Sequence, residues 1–263
     1  LLERWPLPRQ ELWVATREGD TFVVASGRES APSLILLHGS GGNSTAWLAD
    51  IAAWATHFRV YAIDLIGDAG FSATTRPRLD SGAYAPWLGD VLAGLRVENA
   101  AIAGFSLGGW LAVDWATHHP HSVTHLVLLS PGGIGRQRAS FLFRMLPLLL
   151  CGARGRRRAL EITNGSIQPG LDNSRAEYLE FLGLVQQEHR RRMDRLPIFS
   201  DARLRRLTMP VLALVGERDV ILNSNETCRR LKTLVPTARV VVVPGAGHAV
   251  PHDAGAVLEF IRR

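Results

Sequence analysis

The sequence predicts an α/β fold: a mostly parallel sheet of eight strands, helices on both faces, and one helical insertion. Three observations predict it. Short continuous apolar runs such as Leu34–Leu37 suit strands covered on both faces, as in parallel sheets. These runs alternate with stretches of helical spacing, which implies crossover connections. The alternation stops after Pro131-Gly132-Gly133 and resumes at Pro210, so the chain between carries something other than strand and helix in turn.

The elements follow in order. Glu11–Arg17 and Thr21–Ser26 flank Gly19-Asp20 and read as an antiparallel hairpin. Leu34–Leu37 is a buried strand ending at His38-Gly39. Thr45–Thr56 carries apolar residues at Trp47, Leu48, Ile51, Ala52 and Ala55, which predicts one helix. Phe58–Ile63 is the next strand, Tyr84–Leu95 a helix, Ala100–Phe105 a strand, Leu107–Thr117 a helix and Val123–Leu129 a strand. After the break come a strand at Pro210–Val215, a helix at Asn223–Leu234, a strand at Arg239–Val243 and a helix at Ala254–Arg262. Residues 1–133 and 202–263 therefore form the predicted core, and 134–201 a helical, arginine-rich insertion lying on the sheet.

Composition excludes several classes. Of the 263 residues, 46% are hydrophobic and 21% charged, which is globular and not disordered. No apolar run reaches the roughly 18–20 residues of a membrane span; Phe141–Cys151 is short and is interrupted by Arg144 and Pro147. No signal peptide is seen, and Cys151 and Cys228 form neither a metal motif nor a disulfide framework. A cytoplasmic protein with free thiols is expected. The net charge is +6, carried by arginine, since Lys232 is the only lysine. No zinc-finger, RNA-recognition or basic-zipper pattern accompanies that charge, so no nucleic-acid partner is expected.

The chemistry gathers in two glycine-rich turns and two loops. Gly104-Phe105-Ser106-Leu107-Gly108 lies between a predicted strand and a predicted helix, the setting of a nucleophile elbow. That turn is so tight that the residues two places either side of the serine must be small. The serine then stands at a helix N-terminus, where the dipole favours negative charge. His38-Gly39-Ser40-Gly41-Gly42 follows the third strand. It lacks the G-x-x-x-x-G-K-[ST] pattern and any nearby lysine, so it does not read as a phosphate cradle. Asp219 follows the seventh strand in Gly216-Glu217-Arg218-Asp219, and His248 follows the eighth in Gly245-Ala246-Gly247-His248.

With these motifs the chain resembles the α/β-hydrolase fold family over essentially its whole length. The resemblance implies that 134–201 is the family's cap. It implies a Ser106–His248–Asp219 triad, with Ser106 the nucleophile, His248 the base and Asp219 orienting the imidazole. It also implies an oxyanion hole from the amides of Ser40 and Leu107. The rivals are Glu217, Asp201 and Asp253 for the acid and His252 for the base. Asp64-x-x-Gly67-x-Gly70-x-Ser72 resembles the family's structural turn after the fourth strand, with Ile66 in place of the usual proline and Asp68 in place of the usual histidine.

Serine at 106 argues against the dehalogenases and epoxide hydrolases of this fold, which use aspartate. Ala249 after His248 argues against the C–C-bond hydrolases, which typically carry tryptophan there. Hydrolysis of a carboxylic ester or thioester through an acyl-enzyme is the expected activity, with no cofactor and no metal. Gly39, Phe105, Phe141, Met145 and Leu149 are the expected substrate-binding residues. The arginines flanking Phe141–Leu150 raise the alternative of a thioesterase or acyltransferase working on an acidic acyl or peptidyl carrier protein. C–C-bond hydrolases, cofactor-free perhydrolases, haloperoxidases and non-catalytic binding proteins of the same fold remain further alternatives.

Overall fold

The computed structural model describes residues 1–138, 141, 147–148, 151–164, 181–183, 185 and 194–263. Its centre is an eight-stranded sheet made of β1 (Gln10–Val14), β2 (Thr21–Ser26), β3 (Ser33–Leu37), β4 (Arg59–Ile63), β5 (Ala100–Phe105), β6 (Val123–Leu129), β7 (Val211–Gly216) and β8 (Ala238–Val243). The order across the sheet is β1-β2-β4-β3-β5-β6-β7-β8. Among these eight strands the β1–β2 and β2–β4 pairings are antiparallel and the others parallel. The central strands are the continuous apolar runs of the sequence; β2 and β7 are buried along their whole length.

Helices cover both faces. On one lie α2 (Tyr84–Gly94), α3 (Leu107–His118) and α6 (Ser224–Leu234), which bury Trp87, Leu111 and Leu231 against Ile35, Ile102 and Leu128. On the other lie α1 (Ile51–Trp54) and α7 (Ala254–Ile261), which bury Trp54 and Val257 against Leu34, Leu36 and Val127. The predicted helix Thr45–Thr56 is a correction. It is a 3-10 turn at Ser44–Trp47 and a separate single turn, α1. The Asn43 side chain accepts from both the amide and the hydroxyl of Thr45, and the Asp50 carboxylate turns away to His252. Asn43 thus caps the 3-10 turn, whereas Asp50, which precedes α1, gives its carboxylate to a residue far along the chain.

Strand order places the functional loops. The chain leaves β3 towards β4 on one side, and β5 leads to β6 on the other, so the loops after β3 and β5 diverge and leave a crevice at their carboxyl ends. Register brings the two loops side by side, because Leu37 pairs with Gly104. His38-Gly39 therefore starts beside Phe105-Ser106.

Between β6 and β7 the described residues include α4 (Gly152–Asn164) and α5 (Asp201–Leu204). The two ends of this stretch are tied together. Phe199 N–H donates to the Gly133 carbonyl (2.8 Å), and Trp110 Nε1–H donates to the Pro197 carbonyl (2.9 Å) while its ring stacks on Phe199. The buried guanidinium of Arg230 donates to the carbonyls of Ile134 and Phe199 and to Asp201, all at 2.6 Å. Removing it leaves two buried carbonyls unpaired, at about 1–3 kcal/mol each. Arg230→Met is therefore expected to lower unfolding free energy by about 2–5 kcal/mol in urea titrations, whereas Arg229→Met on the same helix should change it by less than about 0.5 kcal/mol.

Candidate active site

Ser106 sits in the turn between β5 and α3 with φ 52° and ψ −107°, a left-handed backbone that a side chain rarely adopts. Three backbone bonds hold it there: Ser106 N–H to the Leu129 carbonyl (2.9 Å), and the amides of Trp110 and Gly132 to the Ser106 carbonyl (both 3.0 Å). The flanking glycines are required by contact. A Cβ at Gly104 would lie 2.4 Å from the Gly108 carbonyl oxygen, and one at Gly108 would lie 2.0 Å from that of Leu37.

The structure brings Ser106, His248 and Asp219 together from the ends of three strands. Ser106 Oγ is 2.8 Å from His248 Nε2, and His248 Nδ1 is 2.8 Å from Asp219 Oδ2. A carboxylate only accepts, so Nδ1 carries the proton and Nε2 is left to accept from the serine hydroxyl. The other carboxylate oxygen, Oδ1, accepts from the amides of Ile221 (2.8 Å) and Leu222 (2.9 Å). Asp219 and His248 are 3% and 4% exposed, so this pair is screened from water. Burial pushes the Asp219 carboxyl up, the largest single effect. The facing imidazole and the two amides together outweigh it and hold the group below the ordinary carboxylate range.

The loop after β3 lies against the elbow. A Cβ at Gly39 would meet the Phe105 ring at 2.7 Å and Ser106 Cβ at 3.5 Å. Gly42 N–H donates back to the Gly39 carbonyl (3.0 Å), closing a turn with Ser40 at its tip. Among the described residues the amides of Ser40 and Leu107 have no protein acceptor. His38 is fully buried; its Nε2 accepts from Leu65 N–H (2.9 Å), so Nδ1–H donates to the Gly39 carbonyl (2.8 Å). Asp68 accepts from Gly41 N–H (3.1 Å), and Asp64 accepts from Ser44 N–H (2.7 Å) and Phe71 N–H (2.9 Å). The turn after β4 thus props this loop.

The sequence model of the alpha/beta hydrolase family matches residues 34–260. The chain belongs to the alpha/beta hydrolase family. This hydrolase is 32% identical to carboxylesterase YbfK of Bacillus subtilis, with 94% of this chain and 84% of that protein aligned. The crystal structure of the YbfK carboxylesterase superposes with a TM-score of 0.83, covering 99% of this chain and 94% of that one at 31% identity. The naproxen esterase of Bacillus subtilis superposes with a TM-score of 0.84 at 30% identity, covering 99% and 93%.

The rival residues of this hydrolase are engaged elsewhere. Glu217 accepts from Gly245 N–H, Asp201 pairs with Arg230, Asp253 caps α7, and His252 pairs with Asp50. Phe105 packs its ring 5.3 Å from the His248 ring. Phe141 is half-buried, and its amide donates to the Arg138 carbonyl. Met145 and Leu149 lie outside the described residues. Two attachments of the site were not legible: the carbonyl of Thr163 in α4 accepts from His248 N–H (3.0 Å), and Asp68 fastens the Gly41 turn. The departure of Asp68 from the family's usual histidine was the signal for the second.

The depressed Asp219 carboxyl has a consequence for stability. A group held below its unfolded pKa contributes stability that is present above about pH 4 and lost as pH falls through the native value. The unfolding free energy of the wild type relative to Asp219→Asn is therefore expected to fall steadily below about pH 5 in urea titrations. A difference that stays level down to pH 3 would contradict this account of the carboxylate. Gly108→Ala is expected to be poorly folded or destabilised by at least about 3 kcal/mol, because backbone on both sides has to move.

Proposed function

We propose that the protein hydrolyses small carboxylic esters through an acyl-enzyme on Ser106. The observation that carries this is the hydrogen-bonded line from Ser106 Oγ through His248 to buried Asp219. The carboxylesterase relatives support the ester as substrate. Ser106 Oγ attacks the acyl carbon while His248 Nε2 takes its proton, and the tetrahedral oxyanion forms against the amides of Ser40 and Leu107. Each such donor contributes on the order of 3 kcal/mol to the transition state. The N-terminus of α3, which begins at Leu107, adds its dipole to the same place. The imidazolium returns the proton to the leaving alcohol, and Asp219 stabilises the charge on the ring throughout. Water, activated by the same histidine, then releases the acid.

Gly39 and Phe105 form the wall beside the nucleophile, and the stretch 134–201 acts as a cap that selects the acyl group. A free ester is the better substrate reading than a carrier-bound acyl chain, since the full-length relatives are named as esterases.

Ser106→Ala is expected to fold as the wild type does and to lose all labelling by a fluorophosphonate; labelling retained at another residue would overturn the assignment. His248→Ala and Asp219→Ala are each expected to lower kcat by about 10³-fold or more, with the double variant little worse than His248→Ala, because the three residues work as a unit. Multiplicative losses in that cycle would show independent roles.

A further inference from the structure

We infer that Arg138 is a positioning residue for the acid of the site: its side chain clamps the carbonyl of Leu222, the residue whose N–H holds the Asp219 carboxylate. The inference rests on the Ser106–His248–Asp219 reading above. Arg136–Arg138, where the chain leaves the core for the insertion, runs antiparallel to Ile221–Asn223, joined at a bridge between Gln137 and Leu222. Arg138 N–H donates to the Ile221 carbonyl (2.8 Å), and Asn223 N–H donates to the Arg136 carbonyl (2.9 Å). The Arg138 guanidinium adds a bond from Nε to the Leu222 carbonyl (3.1 Å).

The Ile221 carbonyl and the Leu222 N–H belong to one peptide group, and that N–H donates to Asp219 Oδ1 (2.9 Å). One line of hydrogen bonds therefore runs from the Arg138 main-chain N–H through this peptide to Asp219, to His248 and to Ser106, and the Arg138 side chain fixes the other side of Leu222 by holding the carbonyl of the next peptide. A peptide whose carbonyl accepts a bond becomes a better donor at its N–H, and a charged donor holds the adjoining carbonyl more firmly than a neutral one. The base is attached to the same stretch of chain at a second point, because Thr163 in α4 accepts from His248 N–H (3.0 Å). The stretch between β6 and β7 thus braces the loops of both acid and base.

Position and exposure separate this role from packing. Arg138 is exposed and its bond to Leu222 is part-buried, so its loss removes one hydrogen bond and little packing. Arg136, two residues away and also exposed, directs its guanidinium to Glu226 (3.3 Å), away from the acid loop. It is the natural control.

The test compares wild type, Arg138→Ala, Arg138→Lys and Arg136→Ala, all as the full chain. The readouts are the rate of fluorophosphonate labelling at Ser106, kcat and KM on a short-chain p-nitrophenyl ester, the acid limb of the pH–rate profile, and Tm. Arg138→Ala is expected to slow labelling and lower kcat about fivefold, the effect of one hydrogen bond, and to shift the acid limb, with KM and Tm little changed. Arg138→Lys, which keeps a charged donor, should recover most of the loss, and Arg136→Ala should match wild type. Unchanged labelling and kcat in Arg138→Ala would overturn the inference. So would an equal loss in Arg136→Ala, which would point to the stretch Arg136–Arg138 as a whole, or a rise in KM alone, which would make Arg138 a substrate contact. A wild type that labels at Ser106 while Arg138→Ala equals it refutes this inference and leaves the triad standing; a wild type that does not label there refutes both.

Discussion

The site depends on one strained residue held between a strand and a helix. Ser106 adopts a backbone that costs on the order of 1–3 kcal/mol and persists only where the surroundings over-determine it. Here they do so through the bonds from its amide to Leu129 and to its carbonyl from Trp110 and Gly132. The reversal lets α3 begin at once, with its first turn pressed against the end of β3. That contact aims the helix N-terminus and the serine hydroxyl into the crevice where strand order reverses. Relaxing the turn would move the hydroxyl, the Leu107 amide and the dipole together, so the glycines at 104 and 108 protect all three.

The pair behind the serine illustrates how a buried charge is tolerated. A carboxylate with 3% exposure would ordinarily gain a proton to escape its environment. Asp219 keeps its charge because one oxygen faces the imidazole and the other receives two amides from a turn of its own loop. Both oxygens have partners, which is the condition under which a buried ionic group is stable. The same bonds orient the carboxylate, so the ring of His248 is fixed with Nε2 towards Ser106.

The loop after β3 is fastened by a different device. Glycines at 39, 41 and 42 give it freedom, and His38, Asp64 and Asp68 remove that freedom by binding its backbone from behind. Asp64 can reach both loops because Gly70 has no side chain; a Cβ there would lie 2.3 Å from the Asp64 carboxylate. In the proposed mechanism the amides of this loop receive the oxyanion, and such amides are useful only if set before charge develops; the turn after β4 fixes the loop through Asp68 on Gly41 and Asp64 on Ser44.

Much was legible in the sequence because it concerns local requirements. Continuous apolar runs marked the central strands to within one or two residues, and the glycines around Ser106 marked a turn that only small residues allow. The strand rhythm placed Asp219 and His248 at strand ends, and the resemblance to the α/β-hydrolase family grouped them with Ser106 in that order. Other features depended on residues far apart in the chain. Ser106 and His248 are separated by 142 positions and meet only because β5 and β8 belong to one sheet. In the sequence Arg136, Arg138 and Arg230 are three members of an arginine-rich chain. The fold makes the first a surface partner of Glu226, the second a clamp on the acid loop and the third a buried tie between the ends of the insertion. Thr45–Thr56 had helical spacing, yet it forms a 3-10 turn and a separate single turn of helix, with Asp50 between them paired to distant His252. The sequence by itself determined the strand rhythm, the sharp turn and the residue types able to do acyl chemistry, since burial periodicity and glycine sterics are written in neighbouring residues. Only the tertiary structure decided which charges are buried, which pair, and which backbone groups hold the acid and base, because those outcomes depend on which distant segments the sheet brings within hydrogen-bonding reach.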